Sequence, residues 1–298
     1  MSCCWKKKRT EKTEVVWIEE MVQIGEVVPE AVKVAADRLR RNDPALTQLH
    51  FQGEKIGDKG ARALAAGLEE NTTLTCLNLE EGKIGAGGAM ALADALMKNT
   101  ALTRLFLYFN NIGDEGVRAL AAALEMNTTL TTLGSLIGNN IGAEGASALA
   151  DALKKNASRT SLQLDSNNIG DEGARAFAHV LEENANLTSL QLERNKIGAE
   201  GARALAAALK NNTTLTQLDL TGNNIGAEGA GALAGALEKN TNLSILSLIS
   251  NNIGAEGARA LADALEKNTT LKSLYLDYSN IGNEGARVRI ETLLNRNK

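Results

Sequence analysis

From residue 45 onward, apolar and polar positions recur in one cycle. In the stretch 212–240, NTTLTQLDLTGNNIGAEGAGALAGALEKN, Leu215, Leu218 and Leu220 alternate with polar residues and lead through Asn223 to Ile225, a spacing of LxxLxLxxNxI. Alternation of this kind places the leucines on one side of a short strand. The period then changes. Gly226 and Gly229 mark a turn into a segment whose Ala230, Leu233 and Leu237 are three and four residues apart, so they share one face of a helix. Glu228 near the start of that helix and Lys239 near its end suit the helix dipole. Asn240 is placed to end the helix in the left-handed conformation that Asn tolerates. The predicted unit is therefore strand, turn, helix, loop.

Aligned along the chain, this unit brings Ile-Gly pairs into register at Ile56, Ile84, Ile112, Ile141, Ile169, Ile197, Ile225, Ile253 and Ile281, spaced by 28 residues with a single 29. Nine units of one period predict a solenoid, in which each repeat buries its apolar face only against its neighbours. The LxxLxLxxNxI run and its continuation GxxxLxxxL, at Gly229, Leu233 and Leu237, resemble the leucine-rich repeats of the ribonuclease-inhibitor type over residues 45–298. The IGxEGAxALAxAL wording is also similar to the repeat arrays of NOD-like receptors. The resemblance implies an α/β leucine-rich repeat solenoid, a horseshoe with parallel strands on its concave face and helices on its convex face. It further implies that Asn110, Asn139, Asn167, Asn195, Asn223 and Asn251 form a ladder bonded to backbone groups where the strands end. Glu54 and Gly82 replace that Asn in the first two units, and Ser279 in the last.

Three regions follow from the pattern: a polar, basic tail over 1–14 expected to be disordered, an N-terminal cap and degenerate repeat over 15–44, and nine repeats ending in a C-terminal cap over 45–298. Ile24-Gly25 precedes Ile56-Gly57 by 32 residues, as a degenerate repeat with four added residues would. Val16, Trp17 and Ile18 are expected to form a strand closing the open end of the array. A helix is predicted from Pro29 to Arg41, with Ala31, Val32, Ala35 and Leu39 as its buried stripe. At the far end, Arg287, Arg289 and Glu291 make the last helix more polar, as a cap needs. Two irregularities fall near the middle. Gly134-Ser135 stands where other units have one residue, predicting a bulge, and Arg159 occupies a slot that is Leu187, Leu215 or Leu243 elsewhere. Together they predict a kink or weak point.

Composition excludes several classes of function. A formal net charge of −4 gives no basic footprint for nucleic acid. No apolar run is long enough to span a bilayer, and the start lacks the apolar core of a secretory signal, so the expected location is cytoplasmic. The tail carries two readings. It is either a solvated arm, or a peripheral membrane anchor in which acylated Cys3 and Cys4 act together with Lys6, Lys7, Lys8 and Arg9. The three cysteines are too few for a disulfide framework, and none has metal-ligand spacing. No cofactor and no metal are expected. The chain has no Walker A loop, GxSxG, HExxH or CxxC. The calcium-loop-like run from Asp165 has Ile169 and Ala176 where ligands are needed. His179 reads as a solvated helix residue, and His50 has no nucleophile beside it. No catalytic set is expected, and the protein is not read as an enzyme.

What remains is the strand face. The residues flanking the paired leucines should point out of the inner surface, and five of the nine aromatic residues in the chain fall there: Phe106, Tyr108, Phe109, Tyr275 and Tyr278. Ile245 and Ile249 accompany the last two. Cys76 belongs to the same outward columns. Charges on this face are lopsided, with Glu80, Glu81, Asp165, Glu193, Asp219 and Asp277 against Arg104 and Arg194. Exposed aromatic groups are what protein-binding hot spots use. The expected function is a non-enzymatic scaffold or recognition module, binding a protein partner that is basic and partly apolar at the contact. Two alternatives remain: a regulator of a small GTPase acting through Arg104, which has aromatic company, and a sensor repeat domain like those of NOD-like receptors.

Overall fold

Runs of three alternating residues are enough for a strand here because the leucine between two outward residues is buried against the helix that follows. Leu218, Leu220, Ile225, Leu233 and Leu237 of one repeat are all buried, and so are most of their described equivalents, the last helix excepted, where Arg289 and Leu293 are only half-buried. The computed structural model describes residues 6–10, 13–17, 28–130, 132–134, 136–155, 160–183, 186–276, 281 and 284–298. They form two units, Met1–Asn140 and Ile141–Lys298.

In the first unit, β1 (Lys6–Thr10) and β2 (Thr13–Trp17) precede α1 (Glu30–Arg40). Then follow β3 (Leu46–His50), α2 (Gly57–Leu68), β4 (Cys76–Asn78), α3 (Ala86–Lys98), β5 (Arg104–Phe106), α4 (Gly113–Met126) and β6 (Thr132–Gly134). The strands make one sheet in the order β1-β2-β3-β4-β5-β6, antiparallel between the first two and parallel thereafter. The second unit begins with α5 (Ala143–Lys155), β7 (Ser161–Gln163), α6 (Gly170–Glu183), β8 (Ser189–Gln191) and α7 (Ala199–Leu209). It continues through β9 (Gln217–Asp219), α8 (Gly226–Leu237), β10 (Ile245–Ser247), α9 (Gly254–Lys267) and β11 (Ser273–Tyr275) to α10 (Glu284–Arg296). Its five strands are parallel, in sequential order. Both units are α/β solenoid, with successive helices packed on one another within each unit.

Part of the stretch expected to be a solvated tail, Lys6–Thr10, is strand β1. The edge of β2 offers unpaired N–H and C=O groups, and pairing β1 against it satisfies them. Several expectations fall outside the described residues: Cys3, Cys4, Ile18, Ile24-Gly25, Ser135 with the bulge, Arg159, Asp277, Tyr278 and Ser279.

The expected asparagine ladder is present. Asn223 Nδ2 donates to the carbonyls of Leu192 (2.9 Å) and Leu220 (2.8 Å), while its Oδ1 accepts from the amides of Asn195 (2.9 Å) and Ile197 (3.0 Å). Asn240 differs from expectation. Its backbone is not left-handed, and its equivalents Asn99, Asn127 and Asn268 are extended. The reason lies in its side chain, which is buried and bonded across the repeat boundary. Nδ2 donates to the carbonyls of Leu209 (2.7 Å) and Asn212 (3.1 Å), and Oδ1 accepts from the amides of Asn242 (2.9 Å) and Leu243 (2.7 Å). Asn71, Asn99, Asn127, Asn212 and Asn268 repeat this, giving a second ladder where helices pass into strands. At its end, Arg296 Nη2 takes the place of an Asn amide, donating to Leu265 and Asn268 carbonyls at 2.9 and 2.8 Å.

Helix starts alternate in a way tied to one residue of the preceding repeat. Asp58 Oδ1 accepts from the Gly85 amide at 2.6 Å, and Asp171 Oδ1 from the Gly198 amide at 2.6 Å. In both cases the glycine is extended. Ala199 and Ala227 cannot accept such a bond, and the glycines one repeat on from them, Gly226 and Gly254, are left-handed with φ of 63° and 61°. There the Gly226 amide turns instead to the Asn251 carbonyl at 3.0 Å.

Candidate functional site

The aromatic column of the first unit stands on β5 and the two residues that follow its strand. Leu105 and Leu107 are buried, so alternation turns Arg104, Phe106 and Tyr108 to the open face of the sheet. The Phe106 and Tyr108 rings stack with centroids 5.8 Å apart and planes inclined by 24°, a geometry that adds attraction beyond burial. Phe109 continues the surface and is 52% exposed. Its backbone is left-handed, with φ 51°. Elsewhere in the array this position holds Gly53, Glu81, Gly138, Ser166, Arg194, Gly222 or Ser250, and only the last repeat, with Tyr278, has another aromatic residue. A left-handed backbone disfavours an L side chain by roughly 1–2 kcal/mol, and a bulky ring there is unusual. The next repeat makes room for it: the Phe109 ring lies over Gly138, where a Cβ would come within 2.5 Å of Cδ1.

The neighbouring strands set the electrostatics. On β4, the register pairs Asn78 with Phe106, and the Glu81 amide donates to the Tyr108 carbonyl at 2.9 Å. The carboxylates of Glu80 and Glu81 therefore flank the aromatic column. Burial pushes the Glu80 carboxyl up, reinforced by Glu81 and opposed by its bond with Asn78. Burial, then the charge of Glu80, pushes the Tyr108 hydroxyl up. At the other end, burial holds the His50 imidazole below its ordinary value, and nearby Arg104 lowers it further.

Cys76 is a correction. It was expected on the outward columns, yet it is 2% exposed, and burial pushes its thiol up, against the pull of Arg104. The outward columns are not equally open: a small side chain between the Gln48 and Arg104 columns is covered by its larger neighbours.

In the second unit, Ile245 is half-buried on β10, Ile249 is 38% exposed just beyond it, and Tyr275 is 50% exposed on β11. The Ser247 hydroxyl between them is buried and bonded to Thr221 Oγ1 at 2.7 Å. Further along this sheet, burial pushes the half-buried Asp165 carboxyl up from 3.8 to about 6, with Asp219 and Glu193 adding repulsion. The Glu193 amide, donating to Asp165 Oδ1 at 2.9 Å, opposes the shift. The folded state thus holds this proton more tightly than the unfolded chain, so stability falls as pH rises from about 4 through about 6 and stays lower above that. Asp165→Asn keeps the acceptor and removes the charge. It is expected to raise the denaturation midpoint near pH 8, by about 1–2 kcal/mol after discounting for solvent screening, and to change nothing near pH 3. Urea titrations of both proteins at the two pH values check this.

The family model described as Leucine Rich repeat matches residues 43–65, 70–93, 98–121, 127–150, 156–178, 183–206, 211–234, 239–262 and 267–288. The chain belongs to the leucine-rich repeat family. Each matched leucine-rich repeat spans the strand and most of the helix of one unit, leaving the second asparagine ladder at or near the joins. Among curated proteins, none matches the chain. Two solved structures are similar. One, described as Leiomodin-1 Actin-Binding Site 2, is 17% identical, covers 90% of this chain and 90% of that chain, and has a TM-score of 0.30. The other is the tropomodulin C-terminal domain of Caenorhabditis elegans, 12% identical over 89% of this chain and 92% of that one, with a TM-score of 0.32. Overlap that loose transfers nothing about binding from either protein. Among the described residues, no helix is long and apolar enough to cross a membrane.

The sites expected from the sequence thus fall in separate places. Arg104, Phe106, Tyr108 and Phe109 share one column in the first unit; Ile245, Ile249 and Tyr275 lie in the second. The acidic flank of the aromatic column was missed as a partner to it. The 28-residue offset, which sets Glu80 beside Tyr108 and Glu81 beside Phe109, is the signal that could have found it.

Proposed function

We propose that this leucine-rich repeat protein is a non-catalytic interaction module whose protein partner docks on the open sheet face of the first unit, at Phe106, Tyr108 and Phe109. The observation that carries the reading is Phe109. It combines a left-handed backbone with a half-exposed ring, two unfavourable features at one position where most other repeats place glycine or a polar residue. Strain kept at an exposed position is typical of sites held for binding. A preformed face of strands also limits the ordering cost of docking. The same reading extends to Ile245, Ile249 and Tyr275 as a second contact surface, to residues 15–44 as a cap, and to residues 45–298 as the repeat array.

The test is the triple variant Phe106→Ser, Tyr108→Ser, Phe109→Gly. Glycine at 109 removes strain while loss of the Phe106–Tyr108 stack removes packing, so the two effects oppose one another and a cooperative unfolding transition is expected to remain. Partner capture from extracts of the source cell is expected to fall by roughly tenfold or more, as loss of a hot spot does. Undiminished capture overturns the reading.

A further inference from the structure

The partner's chemistry can be narrowed by what surrounds the rings, a step that rests on the docking reading above. On one flank stand two carboxylates, Glu80 and Glu81. Among the described residues neither forms an ion pair, and the Glu80 carboxyl is bonded only to the neutral Asn78. Several glutamates on or just beyond the helices are paired. Glu69 pairs with Lys98, Glu238 with Lys267, Glu228 with Arg203, and Glu266 with Arg289. On the opposite flank the next repeat, residues 132–139, carries no charged residue, and half-buried Ile137 stands there. Gly134 is in register with Phe106, and Gly138 lies against Phe109. The result is an aromatic shelf with an acidic wall on one side and an uncharged flank on the other.

An aromatic face is negative at its centre and attracts a cation lying over it. A carboxylate beside the ring adds charge attraction, and both strengthen when the contact is desolvated. An anionic ligand such as nucleic acid or a phosphate headgroup meets two carboxylates here and is repelled. An uncharged apolar segment leaves those carboxylates to be desolvated without a partner, which is costly. A side chain with an apolar stem and a cationic head fits both features.

We infer that the shelf formed by Phe106, Tyr108 and Phe109 seats a lysine or arginine side chain of the partner protein, with Glu80 and Glu81 as its counter-charges. The apolar stem lies on the rings and the head reaches the carboxylates. Attraction of this kind weakens with salt.

The experiment uses the full chain and fluorescein-labelled peptides of one Ser-Gly background, carrying lysine, arginine, acetyl-lysine or glutamate at the same positions, read by fluorescence anisotropy. The lysine or arginine peptide is expected to bind, and the acetyl-lysine and glutamate peptides to bind roughly tenfold or more weakly. Glu80→Gln with Glu81→Gln is expected to weaken the cationic peptide by roughly three- to tenfold, with a thermal midpoint that holds or rises. Phe106→Leu with Tyr108→Leu, which keeps apolar area and removes the ring quadrupole, is expected to weaken it by a similar factor. Equal binding of acetyl-lysine and lysine peptides overturns the inference, and so does indifference to the glutamine pair. If partner capture is lost in the Phe106, Tyr108, Phe109 variant yet unaffected by the glutamine pair, the docking reading stands and this inference falls. If capture survives the aromatic variant, the docking reading itself falls.

Discussion

Asn240→Leu is expected to lower the stability of the protein by about 3–5 kcal/mol, because four backbone groups lose partners at once. The Asn240 side chain is buried. It donates to the carbonyls of Leu209 and Asn212 in the preceding repeat and accepts from the amides of Asn242 and Leu243 in its own loop. Leucine matches its volume closely, so the loss measures hydrogen bonding rather than a cavity. Two of the orphaned groups lie on one side of a repeat boundary and two on the other. In an array whose stability is a sum of repeat and interface terms, the weakened interface should also separate the unfolding of its two sides. Urea denaturation followed by circular dichroism is expected to show a lower midpoint and a broader or split transition. A midpoint within error of the parent protein would show that water replaces the amide without cost.

The second large effect comes from two glycines on one helix, and the two should respond with opposite sign. At Gly229 in α8, a Cβ would lie 2.5 Å from Ile225 Cγ2, 3.0 Å from Ala202 Cβ and 3.3 Å from the Ala199 Cα of the neighbouring helix. Ile225 is β-branched and buried, and Ala199 Cα is backbone, so neither yields easily. Gly229→Ala is expected to destabilise by about 1–3 kcal/mol through overpacking, despite the better helix propensity of alanine. At Gly231, two residues on, nothing lies within 4 Å of the same added atom. Gly231→Ala is expected to stabilise by about 0.5–1 kcal/mol. Denaturation midpoints of the two variants check this, and a shared sign would mean that the helices α7 and α8 do not approach as closely as described.

Much of the fold was legible because the period reports burial directly. The alternation around Leu218 and the three-and-four spacing of Ala230, Leu233 and Leu237 name the buried faces of strand and helix without reference to any other part of the chain. The first asparagine ladder, at Asn223 and its equivalents, also followed, through the resemblance to known repeats. The second ladder did not. Nothing local distinguishes an Asn that ends a helix by its own backbone from one whose side chain reaches a carbonyl in the preceding repeat.

The candidate site was legible to the same depth. That Phe106 and Tyr108 face outward follows from alternation. That Phe109 is left-handed, that its ring rests over Gly138, and that Cys76 is covered all depend on atoms of adjacent repeats.

By itself, then, the sequence determined the repeat length, the order of strand and helix, the buried face of each and the place of the aromatic column. All of these are set by spacing within one repeat. Only the tertiary structure decided what the polar and special residues do: Asn240 bridging a boundary, Asp58 and Asp171 holding the start of the next helix, Glu80 and Glu81 flanking rings one strand away. The physical reason is the same each time. A hydrogen bond or charge contact needs its partner within a few ångströms, and here that partner is supplied by a neighbouring repeat about 28 residues away in the chain.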